Sequence, residues 1–543
     1  MDYTFIKSKS GEIVPAIITS NSEVPLHSTV DPVREAERLV STIPPDTGFI
    51  IFLGLGGGFV PQVVLANTDA QVVVIDYGIK ELLSSKDYSV LLENRRLTLL
   101  ADPLNEEIEK IILELYKPAL HGGIKTIPLR ARVEKDTVIF NSVIKTIEQV
   151  IESISGDFSV QAHFGKRWFS NIIRNIALFD SKPRLETSIL EKFTLPIQEA
   201  AVVAAGPSLD RQISALAEFK SGGGNRLIIC CDTALPALIN HGIKADAVVS
   251  IDCQHISYYH FLGKNNINRI PLFLDIASPP LLSHLSPMPV FFSSGHPLAL
   301  YVSKHWKPLP HLDTSGGNVT YAAVSFAAAL GIKHITLFGA DFSYIGSQTY
   351  ARSTYIYPYF EKKQIRFTPL ETLHSVFLYR SPFLPQKESG QKYRETNQLC
   401  FYRKKLEEKA SAIDAKITVS QGLGAPIDFS HTSRHGNLPP KIASNSFSFF
   451  ETENVKTNYA PISGLNFLEQ YRDKIAALPP LNTPSSKNIT ENYIDSLSEE
   501  NRHIFTTLLP LAAYFKRKNP ALKISDLIEK TKQFCIDEIE KLL

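Results

Sequence analysis

The stretch Ala200-Ala201-Val202-Val203-Ala204-Ala205-Gly206-Pro207-Ser208-Leu209-Asp210 decides how the chain is read. A short apolar run that breaks into Gly-Pro-Ser has the length of a buried strand, and Leu209 and Asp210 suit the first turn of a following helix. The pattern repeats downstream. Leu227–Cys231 ends in Asp232, 246–251 ends in Asp252, and Pro271–Leu274 ends in Asp275. Pro289–Phe292 then runs into Ser293-Ser294-Gly295, and His334–Phe338 into Gly339-Ala340-Asp341. Six strand candidates that end in small or acidic residues, spaced by helix-length segments, describe an open α/β sheet. Ligands of such sheets sit beyond the carboxyl ends of the strands. Ile417–Val419 supplies a last strand and closes this region near residue 430.

Upstream, Gly48–Leu53, Gln71–Ile75 and Leu97–Leu100 mark a second parallel α/β region. Alternating residues around Ser10-Gly11 predict a hairpin over 1–20, and Asp31-Pro32 predicts a helix start. Phe164, Trp168, Ile172 and Ile176 lie at helical spacing within 140–180 and predict a packed connector helix. Residues 430–464, rich in Ser, Asn, Pro and His, read as an irregular linker, and Leu465–Ala477, Ile494–Phe515 and Ser525–Leu543 as helices. The expected fold class is α/β, with two Rossmann-like α/β domains followed by a helical C-terminal region. The expected division is 1–150 for the first α/β domain, 151–195 for a helical connector, 196–430 for the central domain, and 431–543 for a linker and helical C-terminal domain.

Over 543 residues, 57 Lys+Arg against 55 Asp+Glu leave a net charge of +2. That balance excludes a protein held to nucleic acid by phosphate neutralisation alone. No apolar run reaches the roughly 20 residues a bilayer demands, so no membrane span is expected. Met1-Asp2-Tyr3-Thr4 lacks a basic and then apolar leader, which points to a cytoplasmic protein. Cys230, Cys231, Cys253, Cys400 and Cys535 form no CxxC pair and read as reduced thiols.

Several constellations carry possible chemistry. Gly54-x-Gly56-Gly57-Gly58 with Asp76 downstream reads either as a dinucleotide- or S-adenosylmethionine-binding turn or as a scaffold turn. Gly206-Pro207-Ser208 at a helix start is either an anion cradle or a tight turn. Thr314-Ser315-Gly316-Gly317-Asn318 before an apolar helix is either a second cradle or a plain cap. Asp232, Asp252 and Asp341 end three strands, where carboxylates take ribose or sugar hydroxyls or serve as caps. HExxH, Walker A and GxSxG patterns do not occur, which leaves zinc hydrolase, P-loop kinase and α/β-hydrolase readings without support.

Beyond these spacings, the chain resembles a known family. Leu26-His27-Ser28-x-x-Asp31-Pro32-x-x-Glu35-Ala36, the glycine turn at 54–58 and His163-Phe164-Gly165-x-x-Trp168-x-x-Asn171 resemble the N-terminal part of Maf (motility accessory factor) proteins. Ala204–Leu209, Cys231–Leu238, Gly242–Asp246 and Ser250-Ile251-Asp252 resemble their central domain, and Gly317-Asn318-Val319 and Phe338–Tyr344 complete the match over roughly 20–430. That resemblance implies a glycosyltransferase that moves a nonulosonic acid, of the pseudaminic or legionaminic type, from a CMP-activated donor to Ser/Thr of flagellin. It implies no cofactor beyond the donor itself, and no metal. The central domain is similar to bacterial CMP-dependent sialyltransferases.

By this resemblance Gly206, Pro207 and Ser208 face the CMP phosphate, and Asp232, Thr233, Asp252 and Tyr344 belong to the donor-binding set. Thr314, Ser315, Gly316, Gly317 and Asn318 line the nucleotide, and the segment after Asp341 covers the departing phosphate. Maf proteins usually carry a Thr-His pair where this chain has Gln348-Thr349-Tyr350-Ala351. The sialyltransferase pattern instead has a tyrosine there and a His-Ser about two dozen residues on. His374-Ser375 stands 24 residues after Tyr350, which makes His374 the expected base and Tyr350 a phosphate hydrogen-bond donor, with Asp341 as third catalytic candidate. The chemistry expected is inverting transfer. The alternatives are a pterin pyrophosphokinase-like enzyme, which would want magnesium, and a non-catalytic flagellin-binding assembly factor.

Overall fold

The computed structural model describes residues 3–18, 22–179, 193, 197–261, 267, 270–286, 289–386, 392–430, 462–481, 493–494 and 496–543, so the expected linker at 430–464 lies almost wholly outside the described residues. The chain forms two compact units. One comprises Met1–Lys166 with Lys474–Ile536, the other Arg167–Asp473 with Asp537–Leu543.

In the first unit β1 (Tyr3–Lys7), β2 (Ile13–Ile18) and β3 (Glu23–Pro25) form the antiparallel hairpin sheet. Asp31 caps the helix Pro32–Val40, its Oδ1 accepting from Arg34 N at 3.0 Å. β4 (Phe49–Leu53), β5 (Gln71–Asp76), β6 (Leu97–Ala101) and β7 (Ile124–Pro128) make a parallel sheet in the order β6-β5-β4-β7. Ile50, Phe52, Val72 and Val74 pack into a core on one face, and Phe49, Ile51, Leu53, Val73 and Ile75 into a core on the other. Burial on both faces is why β4 and β5 are continuous apolar runs. The edge strand β7 reads Ile-Lys-Thr-Ile-Pro, without such a run, and the sequence pattern missed it. The C-terminal helices Glu499–Lys518 and Ile524–Glu540 contribute most of their length to this unit.

The helix Thr137–Phe179 leads from the first unit into the second. In the second unit β8 (Glu199–Val203), β9 (Arg226–Cys231), β10 (Ala247–Ser250), β11 (Leu272–Asp275), β12 (Pro289–Phe292) and β13 (His334–Phe338) are parallel. A short pair follows, β14 (Tyr344–Ile345) against β15 (Tyr393–Arg394), and β16 (Lys416–Val419) joins the main sheet beside β13. The order is β12-β11-β10-β9-β8-β13-β16, so the winding direction reverses at β8 and every carboxyl end opens on one edge. The reversal leaves a crevice at that edge, which is where doubly wound sheets bind ligands. Asn171 and Asn175 of the long helix brace this edge: their Nδ2 groups donate to the carbonyls of Cys253 and Ala277, and of Ile276 and Ser278, at 2.8–3.1 Å. The α/β class with two parallel sheets and a helical C-terminal region is therefore present. Among the described residues no helix is long and apolar enough to cross a membrane.

Candidate functional site

The glycine turn of the first unit is occupied by the protein itself. Asp76 is buried, its Oδ2 accepting from Leu55 N and its Oδ1 from Arg132 Nε, each at 2.8 Å. Gly57 N donates to His27 Nε2 at 2.8 Å, Lys86 Nζ to Gly57 O and Tyr88 Oη to Gly56 O, both at 2.6 Å. A Cβ on Gly56, which sits at φ +52°, would stand 2.4 Å from His27 Nε2. Of the two sequence readings the scaffold turn fits, because the acid that would take a ribose is spent on a buried guanidinium.

The turn Gly206-Pro207-Ser208 sits between β8 and the helix Leu209–Ser221, at the reversal. Its N–H groups are also engaged: Gly206 N donates to Gly339 O at 2.8 Å, and Ser208 N to Asp341 Oδ2 at 2.7 Å. Ser208 Oγ accepts from Leu423 N at 2.9 Å. Burial pushes the Asp341 carboxyl up, and hydrogen bonds from Ser208 oppose that. Asp341 thus holds the helix start where a phosphate was expected, and acts on the turn's position.

The second cradle is open. Asn318 caps the helix Val319–Ala329, its Oδ1 accepting from Tyr321 N at 3.0 Å and its Nδ2 donating to Gly316 O at 3.0 Å. Asp313 fixes the approach, accepting from Ser315 N and Ser315 Oγ and, at 2.6 Å, from Tyr321 Oη. Gly317 takes φ +75°, and a Cβ there would lie 3.1 Å from the Tyr402 ring. Among the described residues the N–H groups of Asn318, Val319 and Thr320 have no protein acceptor, the condition in which a helix start binds an anion. Thr314 stands at the entry of this turn, its carbonyl accepting from Gly317 N.

Thr320 Oγ1 lies 4.0 Å from Cys231 Sγ, at the end of β9, so the open helix start adjoins Asp232. Asp232 is 2% exposed. Its Oδ1 accepts from Thr233 N and Oγ1 at 2.7 and 3.0 Å, and its Oδ2 from Ser250 Oγ at 2.7 Å. His260 Nδ1 stands 3.2 Å from Asp232 Oδ2, at an angle short of a hydrogen bond. Burial pushes Asp232 up, but His260 and the hydroxyl donors outweigh it and hold the carboxyl below its usual range. The His260 ring packs on Tyr355 at 4.5 Å, and Tyr355 on Tyr350 at 6.1 Å. Burial pushes Tyr350 up to about 12; Arg380 opposes this, while Tyr344, Asp232 and Tyr402 add to it. Tyr350, Arg380, Tyr344, Tyr402 and Asp232 therefore share one electrostatic neighbourhood beside the open helix start.

His374 lies one aromatic layer away. On the helix Leu370–Leu378 its ring meets Tyr357 at 5.1 Å and Phe360 at 4.9 Å, and Tyr357 Oη donates to Tyr350 O at 3.2 Å. Burial lowers its pKa and Glu371 opposes that. Asp252 accepts from Gln254 N at 2.8 Å, and burial raises its carboxyl. Sequence reasoning missed His260, Arg380 and Tyr355, since none lies in a glycine turn or at a strand end. The one available signal was the density of rings in His255-Ile256-Ser257-Tyr258-Tyr259-His260 and around Tyr355.

On the next strand Asp275 is sealed, and burial pushes its pKa up to about 6 against hydrogen bonds from Ser294 and Ala277 N. A carboxyl whose folded pKa is raised stabilises the fold while protonated and loses that contribution as pH rises from about 4 through 6. Asp275→Asn is therefore expected to raise stability at pH 8 by on the order of 2 kcal/mol and to change it little at pH 4. Denaturant melts at the two pH values check this, and an equal effect at both contradicts it.

Comparison with known proteins follows this geometry. A family model described as 6-hydroxymethylpterin diphosphokinase MptE-like matches residues 170–347. Two uncharacterised proteins of Treponema pallidum (strain Nichols) are similar. One is 42% identical over 101 residues, covering 19% of this chain and 36% of that protein. The other is 31% identical over 169 residues, covering 29% of this chain and 75% of that protein. The chain thus spans little more than a third of the first relative. A solved Maf glycosyltransferase from Magnetospirillum magneticum AMB-1 superposes with TM-score 0.55 at 13% identity, over 100% of this chain and 90% of that one. The chain belongs to one family with the second Treponema pallidum protein, and its fold is that of the Maf glycosyltransferase its sequence resembles.

Proposed function

We propose that the chain is a glycosyltransferase that moves a nonulosonic acid from a CMP-activated donor to Ser/Thr of flagellin in the cytoplasm, with inversion and without a metal. The observation that carries the reading is the open helix start at Asn318–Thr320, which converges with Asp232, Tyr350 and Arg380 at one strand-end edge. The matched span 170–347 includes the helix start and Asp232. A departing CMP leaves oxocarbenium character on the sugar and charge on the phosphate, so the phosphate needs donors and the acceptor hydroxyl needs a base. Free N–H groups at Asn318–Thr320, the Tyr350 and Tyr402 hydroxyls and the Arg380 guanidinium are the donors. His374 is the base that the sequence resemblance implies.

Calorimetry with CMP tests the binding claim, and His374→Ala tests the base. His374→Ala is expected to cut turnover by roughly 10²–10⁴-fold while CMP still binds. An active His374→Ala chain removes that assignment. The description of the matching family model favours a second reading, pterin pyrophosphoryl transfer, which would call for magnesium. Against it, Asp232 has both oxygens engaged by Thr233 and Ser250 and has His260 beside it, which leaves it poorly placed to ligate a cation. Magnesium-dependent AMP release from ATP with a hydroxymethylpterin would establish that reading.

A further inference from the structure

We infer that His260, set beside Asp232, is a second proton-transfer group of this site and donates to the departing phosphate. The inference rests on the transferase reading above and adds a catalytic residue to it. His260 follows the short helix Ile256–Tyr259 and has 7% of its surface exposed. Its two ring nitrogens have different surroundings. Nδ1 is sealed and faces Asp232 Oδ2 at 3.2 Å. Nε2 has no protein partner among the described residues and is not among the sealed polar atoms. With Nδ1 turned to the Asp232 carboxylate, Nε2 is the nitrogen left to exchange a proton with whatever enters.

The surroundings set the sign of the role. The charged and titratable groups facing this ring are Asp232 after β9, Asp252 after β10 and Tyr355, with Tyr350 and Arg380 beyond Tyr355. Asp232 is itself anchored by Ser250 and Thr233, so it stays ionised and does not compete for the proton. Departing CMP carries two negative charges. Arg380 is a fixed cation in this neighbourhood, and His260 adds a group able to deliver a proton. His374, packed among Tyr357 and Phe360, where burial lowers its pKa, suits the opposite role.

The bond between the anomeric carbon and the phosphate oxygen breaks, its electron pair stays on that oxygen, and His260 Nε2 supplies the proton. The acceptor oxygen, from a protein hydroxyl or from water, forms the new bond to the anomeric carbon and gives its proton to His374. Both imidazoles then re-equilibrate with solvent. An acid must be protonated and a base deprotonated, so a bell-shaped pH profile is expected, the alkaline limb being the one that removal of the proton donor abolishes.

Hydrolysis of a CMP-activated nonulosonic acid by the full chain, followed by CMP release across pH, reads both limbs without an acceptor protein. His260→Gln is expected to lower turnover about 100-fold near neutrality and to abolish the alkaline limb while CMP binding persists. Asp232→Asn is expected to weaken the same limb, and thermal melts serve as the folding check for both variants. Turnover of His260→Gln within about threefold of the parent, with the alkaline limb intact, overturns the assignment and leaves the transferase reading standing. Failure of the unaltered chain to bind CMP overturns both.

Discussion

Arg132→Met is expected to destabilise the first unit by about 3–5 kcal/mol, because it leaves the Asp76 carboxylate buried without its partner. Arg132 is fully buried and serves three acceptors: Asp76 Oδ1 at 2.8 Å, Asp136 Oδ2 at 2.6 Å and Tyr77 O at 2.7 Å. The same Asp76 holds the N–H of Leu55 at the head of the glycine turn, so losing the guanidinium also loosens that turn. The melting temperature should fall by on the order of 10 °C. Adding Asp76→Leu should recover part of the loss, since removing both charges costs less than stranding one. A change below about 1 kcal/mol for Arg132→Met contradicts the scaffold reading of the turn.

Gly317→Val is expected to weaken CMP binding about 10- to 150-fold while lowering the melting temperature by only a few degrees. Gly317 holds φ +75°, which costs a β-branched residue about 1–2 kcal/mol. Its new Cβ would also press on the Tyr402 ring at 3.1 Å. Relief of both displaces the N–H groups of Asn318–Thr320, and losing a charge-assisted hydrogen bond to phosphate costs about 1.5–3 kcal/mol. The strain falls on folding stability, while the lost hydrogen bond alone corresponds to about 10- to 150-fold in affinity. Gly317 is exposed, so the core beneath it is undisturbed. Calorimetry with CMP on the folded variant checks this, and binding within about threefold of the parent would place the phosphate elsewhere.

The sheets were legible in sequence because strands buried on both faces must be apolar throughout, as Phe49–Leu53 and Leu227–Cys231 are. β7 was not, because an edge strand keeps polar residues such as Lys125 and Thr126. The helix start at Asn318 was legible through its glycines and amide, since those residue types are what the turn geometry requires. Occupancy was not legible. Gly54–Gly58 and Gly206–Ser208 look like the open turn in sequence, yet His27, Lys86 and Tyr88 fill one and Asp341 the other. Those partners lie far along the chain, and only folding brings them in. His260 escaped notice for the same reason: it meets Asp232 across 28 residues without a shared motif.

The central claim is transfer of a sugar from a CMP-activated donor. It is tested most directly by incubating the full chain with a CMP-nonulosonic acid and flagellin and weighing the flagellin intact. Flagellin is expected to gain the mass of a nonulosonic acid residue with stoichiometric CMP release, and Gly317→Val is expected to lose both. Unchanged flagellin and intact donor, together with magnesium-dependent AMP release from ATP and a hydroxymethylpterin, would contradict it.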